Sequence, residues 1–198
     1  MSSVRPPEYR SDKLTEAELA IPDEEEKRLF HNPDFQMSQD FFTHDCATRL
    51  AAVLNARGYL NPCCLCTPRL AYVWWKRFHR PVRLLDIDEV RFSLLPGFRR
   101  FDINAPSCLD ESFDVIITDL PTFSELALPL IRKVVDQLAA GKKPDLFLVW
   151  DENSEPSLLQ TFSDYGLRRT EFRLEHCYVK PCSQSRFPLY GNVDLSGA

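Results

Sequence analysis

The stretch Phe113-Asp114-Val115-Ile116-Ile117-Thr118-Asp119-Leu120-Pro121-Thr122-Phe123 decides the fold. Its first half is short, apolar and rich in β-branched residues, the pattern of a strand buried on both faces. Its second half sets an acid, a proline and an aromatic at the strand's carboxyl end, and Ser124 to Ala140 then reads as a helix. In an open α/β sheet that carboxyl edge is where ligands bind.

Working outward, the same alternation recurs on both sides. Upstream, Ala47, Leu50, Ala51 and Leu54 fall on one helical face, with Thr43 or Asp45 as the cap and Gly58 as the stop. Cys63-Cys64-Leu65-Cys66 is a first strand, and Thr67-Pro68-Arg69 opens a helix to about Phe78. Thr67 suits the N-cap and Pro68 the first helical position, and Trp74 and Trp75 pack against the sheet. Val82 to Asp88 is a second strand ending in acids, and Arg99 to Asn104 a third. Downstream, Gly141 to Pro144 stops the long helix, Asp145 to Trp150 is a strand, and Pro156 to Tyr165 is a helix closed by Gly166. Arg168 to Leu174, Cys177 to Val179 and Arg186 to Asn192 follow as short extended segments. The fold class is therefore α/β: a Rossmann-like sheet, mostly parallel, with an antiparallel C-terminal edge.

Composition narrows the function. A chain of 198 residues has the length of one domain, and 44% hydrophobic with 27% charged residues is a globular balance. Residues 1–34, with their prolines and the charged run Asp23 to Arg28, are expected as a mobile or loosely docked arm. The domain spans 35–192, and 193–198 is a tail. A net charge of −5 argues against gripping nucleic acid over the whole surface, although a local basic patch still can. No apolar run is long enough to span a membrane and no secretory leader is visible, which points to the cytoplasm or nucleus. There are seven cysteines, and in that setting they are expected as reduced thiols. Cys63 and Cys66 have C-x-x-C spacing but lie in a strand pattern, so small buried residues are expected there rather than a metal site.

Five motifs in order carry a resemblance: Ser38-Gln39-Asp40-Phe41-Phe42-Thr43, Cys66-Thr67-Pro68-Arg69-Leu70, Leu84-Leu85-Asp86-Ile87-Asp88 with Arg91-Phe92, Phe101-Asp102-Ile103-Asn104, and Asp119 to Phe123. Together they resemble the probable N6-adenine methyltransferases of eukaryotes. That family holds a CCHC zinc-finger ribosomal-RNA adenine methyltransferase and, more distantly similar, a lysine methyltransferase acting on elongation factor 1A. The resemblance implies S-adenosylmethionine as cofactor. It gives Phe41, Phe42, Thr43 and Arg69 to cofactor contact, Asp86 or Asp88 to the ribose, Asp102 and Ile103 to the adenine, and Asp119 to the methionine end. It gives Asp119, Pro121 and Phe123 to catalysis, in a nucleolar, nuclear or cytoplasmic setting.

Two departures stand beside it. The family usually carries glycine where this chain has Cys66, and its Asp-Pro-Pro-aromatic motif is here Asp119-Leu120-Pro121-Thr122-Phe123. The resemblance therefore supports a methyltransferase on an amine, foremost adenine N6 in ribosomal-type RNA. It leaves beside it a catalytically impaired scaffold subunit with a protein partner, or a methyltransferase acting on protein lysine. A shared basic face built from Arg77, Arg80, Arg83, Arg99, Arg100, Arg168, Arg169 and Lys180 would favour RNA.

Overall fold

In the computed structural model, which describes residues 21–33, 39–80, 82–107, 109–120 and 124–195, seven strands form one sheet. The elements in chain order are α1 (Glu24–Phe30), α2 (His44–Ala56), β1 (Pro62–Leu65), α3 (Pro68–Phe78), β2 (Arg83–Asp86), the single turn α4 (Glu89–Phe92) and β3 (Phe98–Arg100). Then follow β4 (Val115–Thr118), α5 (Leu128–Ala139), β5 (Asp145–Val149), α6 (Glu155–Thr161), β6 (Arg168–Arg169) and β7 (Leu189–Gly191). The sheet order is β3-β2-β1-β4-β5-β7-β6. The first five strands run parallel, β7 is antiparallel to β5, and β6 is antiparallel to β7. This is the Rossmann-like arrangement with an antiparallel C-terminal edge. The order reverses between β1 and β4, which opens a crevice at their carboxyl ends.

Alternation along the central strands sorts the core onto two faces. Cys64, Leu84, Ile117 and Phe147 meet α2 and α3 on one side, while Cys63, Leu85, Ile116 and Leu146 meet α5 and α6 on the other. Trp74 is fully buried on the first face, and a buried side chain of that size contributes roughly 2–3 kcal/mol. The helix signals act as the sequence suggests. Thr43 Oγ1 caps α2 by accepting from the Cys46 N–H, and Gly58 (φ 78°) follows its end. Pro68 opens α3 behind Thr67, although the Thr67 side chain makes no capping bond.

Several boundaries differ from the sequence reading, each for a local reason. The second strand stops at Asp86, because its carboxylate accepts from the Asp88 N–H (2.9 Å) and bends the chain into α4. The third strand is Phe98–Arg100 rather than 99–104, because Asp102 accepts from the Asn104 N–H (2.9 Å) in a turn of its own. The long helix opens with a 3₁₀ turn at Glu125–Ala127, and α6 is shorter than expected. The segment expected as a strand from Arg168 keeps only two ladder residues, since Thr170 Oγ1 binds the Leu189 carbonyl and turns the chain outward. Cys177 to Val179 is not a strand. His176 makes one isolated bridge to Phe42, and a 3₁₀ turn (Pro181–Arg186) leads back to β7.

Of the N-terminal arm, the expected helix at Ser11 to Leu19 lies outside the described residues. The described part is packed: α1 buries Glu26, Leu29 and Phe30. Glu26, only 2% exposed, accepts from His44 Nδ1 (2.8 Å) and pairs with Arg69 Nε (3.3 Å). Ser38, Cys108, Pro121, Thr122, Phe123 and 196–198 also lie outside the described residues.

Candidate active site

Three neighbouring strand ends meet where the sheet order reverses. Leu65 of β1 lies beside Leu85 of β2 on one side and Thr118 of β4 on the other. Cys66, Asp86 and Asp119 therefore stand together at the carboxyl edge. The Cys66 N–H donates to the Leu85 carbonyl (2.9 Å) and the Asp119 N–H to the Leu65 carbonyl (3.4 Å). Thr118 is fully buried, and its hydroxyl has no hydrogen-bond partner among the described residues.

Asp119 is held by His176, a residue that the sequence reading did not single out. Their Oδ2 and Nε2 atoms are 2.9 Å apart. A carboxylate only accepts, so Nε2 carries the hydrogen. The His176 ring is buried and lies against Phe42, with centroids 5.1 Å apart. Gln184 clamps its backbone from both sides, accepting from the His176 N–H (2.9 Å) and donating to its carbonyl (2.8 Å). Burial works against a charged ring, but the Asp119 carboxylate, supported by Asp40, outweighs it and raises the His176 pKa. Burial likewise raises the Asp40 carboxyl, although the His176 charge and the N–H groups of Tyr178 and Phe41 oppose the shift. The Tyr178 and Phe41 bonds are 3.1 Å and 2.8 Å.

The motif at 41–43 explains how His176 arrives. The Thr43 N–H donates to the Glu175 carbonyl (2.7 Å), and the Cys177 N–H donates to the Phe41 carbonyl (2.8 Å). Phe41 and Phe42 are buried, and Phe41 packs edge-on against Phe30 and Phe92. These residues thus pack and pair the backbone that carries the histidine. Only four histidines occur in the chain. Nothing local separates His176 from the other three, since its partner lies 57 residues away.

The two candidate ribose acids differ. Asp88 is spent: Oδ1 caps α4 at the Arg91 N–H (3.0 Å), and Oδ2 accepts from Gln39 Nε2 (2.9 Å). Asp86 is buried, and burial pushes its carboxyl up to about 6 against the N–H groups of Asp88 and Ile87. Those backbone donors do not offset the cost of burying its charge. Asp86 fits ribose hydroxyls, and Asp88 supports it from behind. Asp102 reaches the same edge after β3, but its Oδ1 bonds Asn104, and Ile103 packs against the second core face. Arg69 turns away into the protein. Its Nη1 donates to the Phe42 carbonyl (2.6 Å) and Cys177 Sγ (2.9 Å), and its guanidinium lies 4.6 Å from the Phe30 ring centroid.

Cys66 is the discordant residue. Its φ is 56°, in the left-handed region that favours glycine. Burial pushes its thiol well above the ordinary value, and the carboxylates of Asp86 and Asp119 push the same way. A thiol therefore stands within electrostatic reach of both acids, at a position where the backbone needs no side chain. The arginines do not share one face. Arg99 and Arg100 lie on β3 and Arg168 and Arg169 on β6, at opposite edges of the sheet. Arg83 is paired with Glu111 at 2.8 Å.

A family model, Probable N6-adenine methyltransferase, matches residues 33–195 of this chain. The match covers most of the sequence, and the chain belongs to that family. No curated protein matches it. Among the described residues, no helix is long and apolar enough to cross a membrane.

Proposed function

We propose that this member of the probable N6-adenine methyltransferase family is an S-adenosylmethionine-dependent enzyme acting on the exocyclic amine of an adenine in RNA. The observation that carries the reading is Asp119, a carboxylate at the end of β4 fixed by His176, with the buried Asp86 two strands away on the same carboxyl edge. S-adenosylmethionine, when bound, supplies an electrophilic methyl group. Asp86 would hold its ribose, with Asp88 orienting the loop through α4. An adenine amine is a weak nucleophile because its lone pair is shared with the ring. Asp119 Oδ1 accepts an N–H of that amine and leaves the lone pair to attack, while Oδ2 stays on His176. The C–N bond would form as the cofactor's methyl–sulfur bond breaks and leaves a neutral thioether; the proton shed by the nitrogen would pass by way of Asp119 Oδ1 to solvent, with His176 holding that carboxylate in place. Pro121 and Phe123, next in sequence, are assigned to shaping the turn and stacking on the base.

A second reading has its own observation. Cys66 places a side chain where the close approach of the cofactor favours glycine, which supports a scaffold subunit that has lost turnover. Calorimetric titration with S-adenosylmethionine, run with radiolabelled methyl transfer to RNA, separates the two. The enzyme reading expects saturable micromolar binding, weakened at least tenfold in Asp86→Asn. It also expects transfer lowered on the order of a hundredfold in Asp119→Asn with binding kept. Absence of binding at millimolar cofactor refutes it.

A further inference from the structure

Helix α1 ends before residue 33, where the stretch shared with the family begins, yet it delivers a carboxylate to the interior of the domain. A charge is buried at a cost unless a partner answers it. Glu26, 2% exposed, accepts from His44 Nδ1 (2.8 Å) and pairs with Arg69 Nε (3.3 Å). Phe30, one turn further on the same face of α1, lies 4.6 Å from the Arg69 guanidinium and packs edge-on against Phe41. Arg69 is thus held on one side by α1 alone of the helices outside the shared stretch.

The other side of the guanidinium reaches the site. Phe42 and His176 face each other across an isolated antiparallel bridge. Its two backbone bonds run from the Thr43 N–H to the Glu175 carbonyl (2.7 Å) and from the Cys177 N–H to the Phe41 carbonyl (2.8 Å). In that pattern the Phe42 carbonyl points away from the bridge. Arg69 Nη1 supplies its donor (2.6 Å) and also bonds Cys177 Sγ (2.9 Å). One guanidinium therefore ties together the two residues that flank the His176 ring, Phe42 across the bridge and Cys177 next in sequence. The ring has no second polar anchor: Nδ1 is buried with no hydrogen-bond partner among the described residues, while Nε2 holds Asp119 Oδ2 (2.9 Å).

We infer that Glu26 is a positioning residue for Asp119: through Arg69 it fixes the Phe42 and Cys177 backbone that sets the His176 ring. The inference rests on the proposed role of Asp119 and deepens it, because an element outside the shared stretch then governs the carboxylate that meets the amine.

The test separates position from stability in the full chain. Glu26→Gln/Arg69→Met removes the pair and leaves the net charge unchanged, so denaturant stability returns towards that of the parent while the donor to Phe42 and Cys177 stays lost. NMR of the histidine rings from pH 6 to pH 9 reads His176, whose proton answers to Asp119 and Asp40, with the Arg69–Glu26 pair behind Phe42. In the double variant the His176 pKa is expected to fall towards 6.5 as the ring leaves Asp119, and methyl transfer to RNA to fall about tenfold or more. Arg69→Lys keeps the charge beside Glu26 but lacks the fork that spans its partners, and is expected to move His176 the same way. Lys76→Met, which frees Asp23 and Glu25 of α1 without touching Arg69, leaves His176 where it is. If His176 titrates as in the parent in both the double variant and Arg69→Lys, the linkage is refuted while the reading of Asp119 stands. Recovery of transfer together with stability in the double variant refutes it too, since Glu26 then serves stability alone. If the parent neither binds S-adenosylmethionine nor transfers a methyl group, the enzyme reading falls, and the His176 titrations still decide the linkage.

Discussion

Cys66 gives the sharpest test of the architecture, because its backbone and its side chain make separate predictions. An L-residue in the left-handed region costs about 1–2 kcal/mol. Cys66→Gly removes that cost. Against this, glycine loosens the unfolded chain by about 0.5–1 kcal/mol, and the lost packing against the second core face costs about 1 kcal/mol. The contributions nearly cancel, so the melting temperature of Cys66→Gly should move by no more than about 3 °C. Cys66→Ala keeps the strain and loses the sulfur, and should melt slightly lower. Cys66→Val sets a β-branched residue at φ 56°, at a further cost of about 2 kcal/mol or more, which lowers the melting temperature by about 4–8 °C. Differential scanning calorimetry of the three variants orders them Gly, Ala, Val from the top. If Gly melts as low as Val, the left-handed assignment at Cys66 is wrong. On the proposed function, Cys66→Gly also removes the thiol from between Asp86 and Asp119 and tightens S-adenosylmethionine binding about tenfold, equivalent to about 1.4 kcal/mol. Weaker binding by this variant would refute the view of the thiol as an obstruction.

Three other perturbations follow from the same contacts. The Asp86 carboxyl is raised from 3.8 to about 6, so the folded state holds its proton more tightly and stability falls as pH rises through that window. Asp86→Asn keeps an acceptor for the Asp88 N–H and should be more stable than the parent at pH 8, on the order of 2 kcal/mol, with little difference at pH 4; urea titrations at both pH values check this. Replacing His176 by alanine leaves the half-buried Asp119 carboxylate without its side-chain donor, at about 2 kcal/mol. The His176 pKa is raised on folding from 6.5, so its charge-dependent stabilisation is full below that value and is lost as pH rises through the folded pKa. The gap between parent and His176→Ala in denaturant should therefore narrow from pH 6 to pH 9, and a widening gap would contradict the ion pair. Glu26→Gln strands the Arg69 charge and should cost about 3 kcal/mol, much of it recovered by adding Arg69→Met; additive effects in that cycle would show that the pair is not coupled.

What the sequence made legible was what the chain writes locally. Short continuous apolar runs gave the central strands, Thr43 and Gly58 bounded α2, and the acids at strand ends marked the carboxyl edge because strand and turn are contiguous. The β6–β7 edge was harder. Its ladder residues are few, and what ends β6 is a Thr170 hydroxyl bonding the Leu189 carbonyl, a contact that alternation does not encode. The site split in the same way. Asp86 and Asp119 could be found because each follows its own strand. His176 could not, because its role is made by Phe42, Gln184 and Asp119 from three separate parts of the chain. Arg69 shows the converse. Its place after the first strand suggested a ligand contact, yet a carboxylate 43 residues earlier in sequence, Glu26, draws it inward. A motif therefore fixes where a backbone goes, and the long-range polar partner decides whether its side chain is left over for a ligand. Asp86 is left over by that criterion and Asp88 and Arg69 are not, which is why the cofactor test turns on Asp86.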